Sequence, residues 1–297
     1  MIPSHLPIKT AIDREQILKA AATLGIVGSG ADFASRMLSV LCDPQIDGSE
    51  IAALIARQPP IYARVLRVAN SPYYGQPRSI TTIDRALILL GRDAVRGIAA
   101  ASCFDRAMVR SMKGGAIDLQ AMTRHSLATA AAAEALAAIA RPMLASEAFI
   151  AGLLHNLGIP VQAQLDPCAI DAMIAANRTG TAGEIRMLES THARVGHEEC
   201  LATVFETWQM PESLVAVASH HHAPMDAPAP QRDLTALVNL GASLALAIGS
   251  GYALEPVPIP HHVPAVRWLG LTDEHLDVAT SRLKARVAEL NAALFDV

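Results

Sequence analysis

The residues able to do chemistry in this chain are its histidines, and they are unevenly placed. The segment 14–113 contains none, while ten of the eleven lie beyond it and His5 alone lies before it. Near neutral pH an imidazole can ligate a borderline metal ion or relay a proton. A reactive centre therefore belongs to the part after residue 113. There, His125 sits in Thr-Arg-His-Ser, and His155 is followed by Asn156 in the apolar run AFIAGLLHNLGIPV at 148–161. His192 ends the pattern Glu189-x-x-His192, and three histidines stand in a row at 220–222. Asn156 is the informative neighbour. An amide offers an oxygen but no negative charge, which a hard divalent cation needs.

Several other chemistries are excluded. His197-Glu198-Glu199 begins like the zinc-protease motif His-Glu-x-x-His, but residue 201 is leucine. The chain has no Gly-x-Ser-x-Gly elbow and no Gly-x-x-x-x-Gly-Lys phosphate loop. Cys42, Cys103, Cys168 and Cys200 stand far apart without Cys-x-x-Cys spacing and read as reduced core thiols. A net charge of −4 and a pI near 6.2 give no overall footprint for nucleic acid or an anionic membrane. The N-terminal MIPSHLPIKTAIDREQ lacks the pattern of a secretion signal, and no stretch reads as a membrane span. The expectation is a soluble, cytoplasmic protein.

The elements that must position these histidines are helical. Alanine dominates the 52% of hydrophobic residues, as in LATAAAAEALAAIA at 127–140, and favours closely packed helices. No convincing run of alternating β-branched residues occurs. The periodicity predicts helices near 14–24, 30–41, 48–57, 60–69, 82–90, 92–110, 117–140, 146–157, 167–177, 181–189, 191–206, 211–220, 233–249 and 272–295. Turns are expected at Pro59-Pro60, Gly158 to Pro160 and the proline-rich segments 223–230 and 256–264. The fold class is thus all-α. It divides into an N-terminal tail (1–13), a helical lobe (14–113) and a second helical lobe (114–297) that carries the C-terminal helix.

In the first lobe Asp47 or Ser49 can cap a helix, Asn70 stops the next before Ser71-Pro72, Thr81 or Thr82 opens another, and Gly91 ends it. The region also holds nine arginines between residues 57 and 110 against Asp84, Asp93 and Asp105, a local balance of +6 in a chain of −4. Arg57, Arg64, Arg67, Arg78, Arg85, Arg92 and Arg96 are candidates for a docking face toward an acidic or phosphate-bearing partner. The alternative is a solvated face with ion pairs inside the lobe.

Three motifs in order carry a resemblance: RVANSPYYG (67–75), SITTIDRAL (79–87) and LLG (89–91). It continues in AGLLHNLG (151–158), Glu189-x-x-His192 with Gly196, Trp208-Gln-Met-Pro211 and the histidine run, covering roughly 14–250. The chain resembles the HDOD family, the HD-related output domains of bacterial signalling. Gln58-Pro59 departs from the acidic residue more usual there.

The resemblance implies a scaffold of two packed helical lobes related to HD phosphohydrolases. In those enzymes two histidines and two aspartates hold a divalent metal. Here His125 and His155 match the histidines, Asn156 replaces the first aspartate, and the position of the last falls near Ala242, where no acid occurs between Asp233 and Glu255. His192, His221 and His222 fall where related multi-metal phosphodiesterases place further imidazoles. The expectation is a degenerate cleft of His125, His155, Asn156, His192, His221, His222 and Ala242, poor in anionic oxygen, with no resident cofactor. A transition metal, if held, would use His125, His155, His192 and His221. The implied role is non-catalytic regulation through signalling proteins in trans, with a nucleotide or other small ligand as a candidate for the cleft. The alternatives are a weak phosphohydrolase using a histidine-bound transition metal and a nucleic-acid-associated regulator. The oligomeric state is not readable.

Overall fold

The computed structural model describes residues 14–24, 37, 40–41, 46–70, 74, 79–92, 95–99, 102, 117–178, 185–255 and 263–294. Among them, fourteen α-helices follow in order. They are α1 (Arg14–Leu24), α2 (Gly48–Ala56), α3 (Pro59–Ala69), α4 (Ile83–Leu90), α5 (Leu119–Ala140), α6 (Ala145–Leu154), α7 (Gly158–Leu165) and α8 (Pro167–Arg178). Then come α9 (Ile185–His192), α10 (His197–Thr207), α11 (Glu212–His220), α12 (Arg232–Ala247), α13 (Val263–Leu269) and α14 (Asp273–Leu294). The described residues contain no strand, only an isolated antiparallel bridge between Tyr252 and Glu255. The all-α fold of two packed helical lobes is what the sequence predicts. The predicted helices 30–41 and 92–110 and the division at 113–115 fall largely or wholly outside the described residues.

Local sequence explains the boundaries. Asp47 caps α2 in a full capping box: its carboxylate accepts from the N–H groups of Ser49 and Glu50, and Glu50 reaches back to the Asp47 N–H. Thr82 caps α4 through the Arg85 N–H, and Gly91 ends it at φ 84°. The Asn70 amide donates to the carbonyls of Leu66 and Ile80 and its oxygen accepts from Ile80 N–H, tying the end of α3 to the segment before α4. Two helices were not predicted, α7 and α13. Pro160 and Pro264 read as breakers, yet each lies in a first turn, where the missing N–H has no intrahelical partner to lose.

The centre of the molecule is α5. It is buried on most sides, packed against α6, α12 and α14. Small side chains allow this: a Cβ on Gly152 of α6 would stand 2.8 Å from Ala130 Cα on α5. The stretch Pro142–Leu165 is long and apolar enough to cross a bilayer, but 72% of it is buried inside the protein. Its apolarity is therefore accounted for by the core. That core runs without a break from Ala21 and Met37 to Leu283, so the two lobes share it. The ends of the chain cross between them: α14 packs on both α5 and α3, while α1, within the 14–113 segment, lies on α7 and α10. There Ile17, Val195 and Cys200 form a small satellite core, and Arg14 pairs with Glu199.

Candidate functional site

Three elements converge on α5 and bring five imidazoles into one row, four of them buried and His222 partly so. His125 comes from the first half of α5, and His155 from the tight turn between α6 and α7. His197 is the first residue of α10, and His221 and His222 follow the end of α11. Ring centroids are 5.5 Å apart for His125 and His155, 5.1 Å for His155 and His221, 5.1 Å for His197 and His221, and 4.3 Å for His221 and His222. Gly158 is what lets the turn after His155 touch the start of α10. A Cβ there would overlap the His197 carbonyl.

Backbone carbonyls fix the tautomers, because a carbonyl can only accept. His125 donates from Nδ1 to Ser250 O at 2.9 Å, His155 to Gly152 O at 2.7 Å and His221 to Val217 O at 3.1 Å. Each therefore carries a bare Nε2; that of His221 faces His197, and that of His125 lies 3.5 Å from the Thr129 hydroxyl. Burial pushes the pKa of His125 down and those of His155, His221 and His222 well down, so all four are neutral at pH 7. His197 is the exception. Its Nδ1 donates to Glu189 Oε1 at 2.9 Å, leaving its Nε2 3.1 Å from the Nε2 of His221. Two bare lone pairs at that distance repel, so one ring carries a proton. Burial opposes that charge on His197, but Glu189, with help from Glu198 and Glu255, outweighs it and raises the pKa. Glu189 stays ionised in turn. Burial works against its charge, and His197 and the Gln162 amide more than compensate.

The cluster differs from the expected one in two ways. His192 is exposed at the end of α9 and takes no part; its place is filled by His197, one short loop later. Glu189 and His192 share a helix face by spacing, but His192 is the last residue of α9 and stands at its exposed end. The cluster is also not poor in anionic oxygen. Glu189 bonds His197, Glu198 Oε1 lies 3.8 Å from His221 Nδ1 and accepts from the His222 N–H, and Glu255 Oε2 lies 3.8 Å from His125 Nε2. None of these carboxylates comes from position 156 or 242. They arrive from α9, from α10 and from the turn after α12, and Glu198 belongs to the very His-Glu pair set aside as a failed protease motif. Ala242 is a half-buried residue of α12.

The two ends of the row differ. At one end Asn156 donates to the Tyr252 hydroxyl at 3.2 Å, and that hydroxyl donates to Glu255 Oε2 at 2.9 Å. The Asn156 oxygen is buried without a partner. At the other end, an open groove of ≈ 440 Å³ is lined by Arg186, Glu189, Ser190, Arg194, Glu198 and Ser219, among others. One nitrogen each from His197, His221 and His222 falls within 4.8 Å of the others, and the buried His222 Nε2 has no hydrogen-bond partner. That donor set fits zinc, nickel or iron, which imidazoles suit, and does not fit magnesium, which takes oxygen.

A profile of the HDOD domain matches residues 28–224, two thirds of the sequence. The chain belongs to the HDOD family. A solved structure described provisionally as a signal transduction protein, from Marinobacter aquaeolei, is similar with a TM-score of 0.75 at 22% identity, covering 94% of this chain and 64% of that one. An HDOD domain protein of unknown function from Geobacter sulfurreducens has a TM-score of 0.70 at 21% identity, covering 96% of each chain. A protein provisionally described as a phosphohydrolase, from Shewanella amazonensis, also reaches 0.70 at 20% identity, covering 93% of this chain and 97% of that one. Among curated proteins, an uncharacterised protein of Treponema pallidum is 23% identical over 245 residues. The HDOD chain spans 45% of that relative's length.

The arginine face of this HDOD protein is smaller than expected. Arg96 is buried and donates from Nε to Leu41 O at 2.8 Å, so it is structural. Arg57, Arg67, Arg85 and Arg92 are exposed, Arg64 is half-buried, and Arg78 lies outside the described residues. On α4, Ile88 is 85% exposed beside Arg85.

Proposed function

We propose that this HDOD protein is a non-catalytic bacterial signalling module, cytoplasmic, that works by binding. The observation that carries the reading is Asn156. At the position where an HD hydrolase holds its metal with aspartate, this chain has an amide whose N–H is committed to Tyr252 and whose oxygen bears no charge. A hard cation is not held there, and an unheld ion cannot lower the pKa of a water to make hydroxide. The imidazole row and its groove act as a sensor site for a small ligand or a borderline ion. His197, His221 and His222 would hold such an ion, whose contribution would be to stiffen α10 against α11. The exposed arginines of α2 to α4 act as the docking face for an acidic signalling protein in trans. Nucleic acid is the weaker partner, because Arg96 drops out of that face.

The test is an assay of the purified protein with bis(p-nitrophenyl) phosphate and added manganese or nickel, alongside metal analysis and zinc titration. No turnover is expected, and zinc binding, where seen, is lost in His222→Ala. Turnover that disappears in His155→Ala would overturn the reading in favour of a histidine-metal phosphohydrolase, the alternative that the three converging imidazoles favour most.

A further inference from the structure

Helix α12 ends in a Schellman motif. Gly249, at φ 86°, donates to Leu246 O at 3.0 Å, and Ser250 N–H donates to Ala245 O at 3.0 Å. The motif reverses the chain and aims the next residues back into the protein. There the backbone closes a four-residue turn, with Tyr252 N–H donating to Glu255 O at 3.1 Å and Glu255 N–H to Tyr252 O at 3.0 Å. The turn is pushed into the end of the imidazole row. Tyr252 is 4% exposed with its ring 5.1 Å from that of His125, and Leu254 is buried beneath it.

Three bonds fasten the turn to the body of the protein: His125 to Ser250 O, Asn156 to the Tyr252 hydroxyl, and Asn177 to Ala253 O at 2.8 Å. The carboxylate it carries is oddly placed. Glu255 is 9% exposed at its side chain, and among the described residues no lysine or arginine pairs with it. Its neighbours are the Tyr252 hydroxyl and the uncharged ring of His125. A buried carboxylate without a cation is costly, and here one hydroxyl donor offsets that cost.

We infer that the Tyr252–Glu255 turn is a stopper, seated by the Asn156–Tyr252–Glu255 hydrogen-bond chain, which seals His125 and His155 and swings out from Gly249 to admit a ligand to that end of the row. The inference deepens the binding reading, on which its biological meaning rests. Glu255 sets the balance. Removing its acceptor oxygens strands the buried Tyr252 hydroxyl and opens the turn, whereas an amide at the same position keeps an acceptor and removes the costly charge, so the turn stays shut.

The test is histidine modification by diethyl pyrocarbonate, read residue by residue by mass spectrometry on the full chain, together with hydrogen exchange over 250–255. In Glu255→Ala, modification of His125 and His155 is expected to rise about ten- to hundred-fold, the factor that loss of a hydrogen bond to a charged group corresponds to. The exposed His192 should react at an unchanged rate. Glu255→Gln should leave His125 as protected as in the native protein, or more so. Tyr252→Phe should open the turn as Glu255→Ala does, and serves in its place if that variant does not fold. Unchanged His125 rates in the folded opening variants would overturn the stopper, as would an equal rise at His125 in Glu255→Gln. The readout needs neither metal nor partner. Phosphodiesterase turnover would therefore sink the binding reading and leave the stopper standing, and a failed stopper would leave the binding reading untouched.

Discussion

The two ends of the imidazole row were built from the same residue type and treated differently by the fold. His125 and His155, the pair matching the hydrolase motif, spend their Nδ1 protons on backbone carbonyls, and Tyr252 and Glu255 stand against His125 at that end of the row. His197 and His222 stand against carboxylates that line an open groove. The end that matches the hydrolase histidines is sealed, while at the other end the carboxylates Glu189 and Glu198 stand between buried imidazoles and the groove. A motif match therefore locates a place in the fold, while chemistry depends on which groups remain turned toward solvent or ligand.

The largest expected effect separates the ends by charge. His125, His155, His221 and His222 have lowered pKa values, so below pH 6.5 the unfolded chain takes up protons that the fold refuses. Each such histidine removes about 1.4 kcal/mol of stability per pH unit wherever the two states differ by a full proton, so four acting together make the acid side the steepest part of the profile. His197 has the opposite sign. Its raised pKa gives stability that is complete below 6.5 and is lost as pH rises through the folded value. Glu189, lowered, adds stability above its unfolded value near 4.5 that is lost only at still lower pH. Urea unfolding from pH 5 to 8 should show stability rising steeply from the acid side through neutrality and turning over only on the alkaline side, where the decline is shallow. In Glu189→Gln the alkaline decline should vanish and the acid slope should steepen as a fifth histidine joins it. An unaltered profile would refute the charged His197.

Gly158 joins the two ends, and breaking it should break both. A Cβ there overlaps the His197 carbonyl rather than the tip of a flexible side chain, so the backbone of α7 or α10 must move. Gly158→Ala is expected to cost about 3 kcal/mol, the upper part of the range for overpacking a tight interior. Urea unfolding at pH 7 measures it, and a loss under about 1 kcal/mol would mean that the contact yields easily.

How much of this was legible in the sequence depends on how far each signal reaches along the chain. Caps and helix ends are local, and Asp47, Thr82 and Gly91 all act where their types predict. Proline misled where position within a helix decides its meaning, at Pro160 and Pro264. His125, His155, His221 and His222 were legible as a group because the family resemblance fixes their order. The carboxylates were not. Glu189, Glu198 and Glu255 lie 8, 24 and 130 residues from His197, His222 and His125, across the loop before α10, the α10–α11 hairpin and most of the second lobe, and no helical spacing rule reports such meetings. The distances that matter are 2.9 Å for Glu189 to His197 and 3.8 Å for Glu255 to His125.

An aspartate at position 156 would sharpen the contrast at the sealed end. Asn156→Asp removes the donor to the Tyr252 hydroxyl and buries a second carboxylate near Glu255. Leaving one buried charge unpaired costs about 3 kcal/mol, and protonation of the new acid would relieve part of it. A net loss of about 2 kcal/mol in denaturant unfolding at pH 7 is expected, shrinking at lower pH as the acid protonates. A gain in stability on adding manganese would show instead that the sealed end can still assemble an oxygen-ligated site.

The open end should respond least. Arg186 pairs with Glu198 at 3.5 Å, but half of the Arg186 side chain is exposed while Glu198 is largely covered. Exposed pairs of this kind contribute about 0–1 kcal/mol because water already screens the arginine and ordering its long side chain costs entropy. Glu198 also keeps its bond from the His222 N–H when the arginine is gone. Arg186→Ala should therefore lower stability by less than about 1 kcal/mol, with the loss shrinking in high salt. Its larger consequence should be for binding, since the variant removes a guanidinium from the groove wall while leaving the imidazoles in place. A loss of about 3 kcal/mol or more would place Arg186 among the residues that hold the row together, and the open end would then be as rigidly committed as the sealed one.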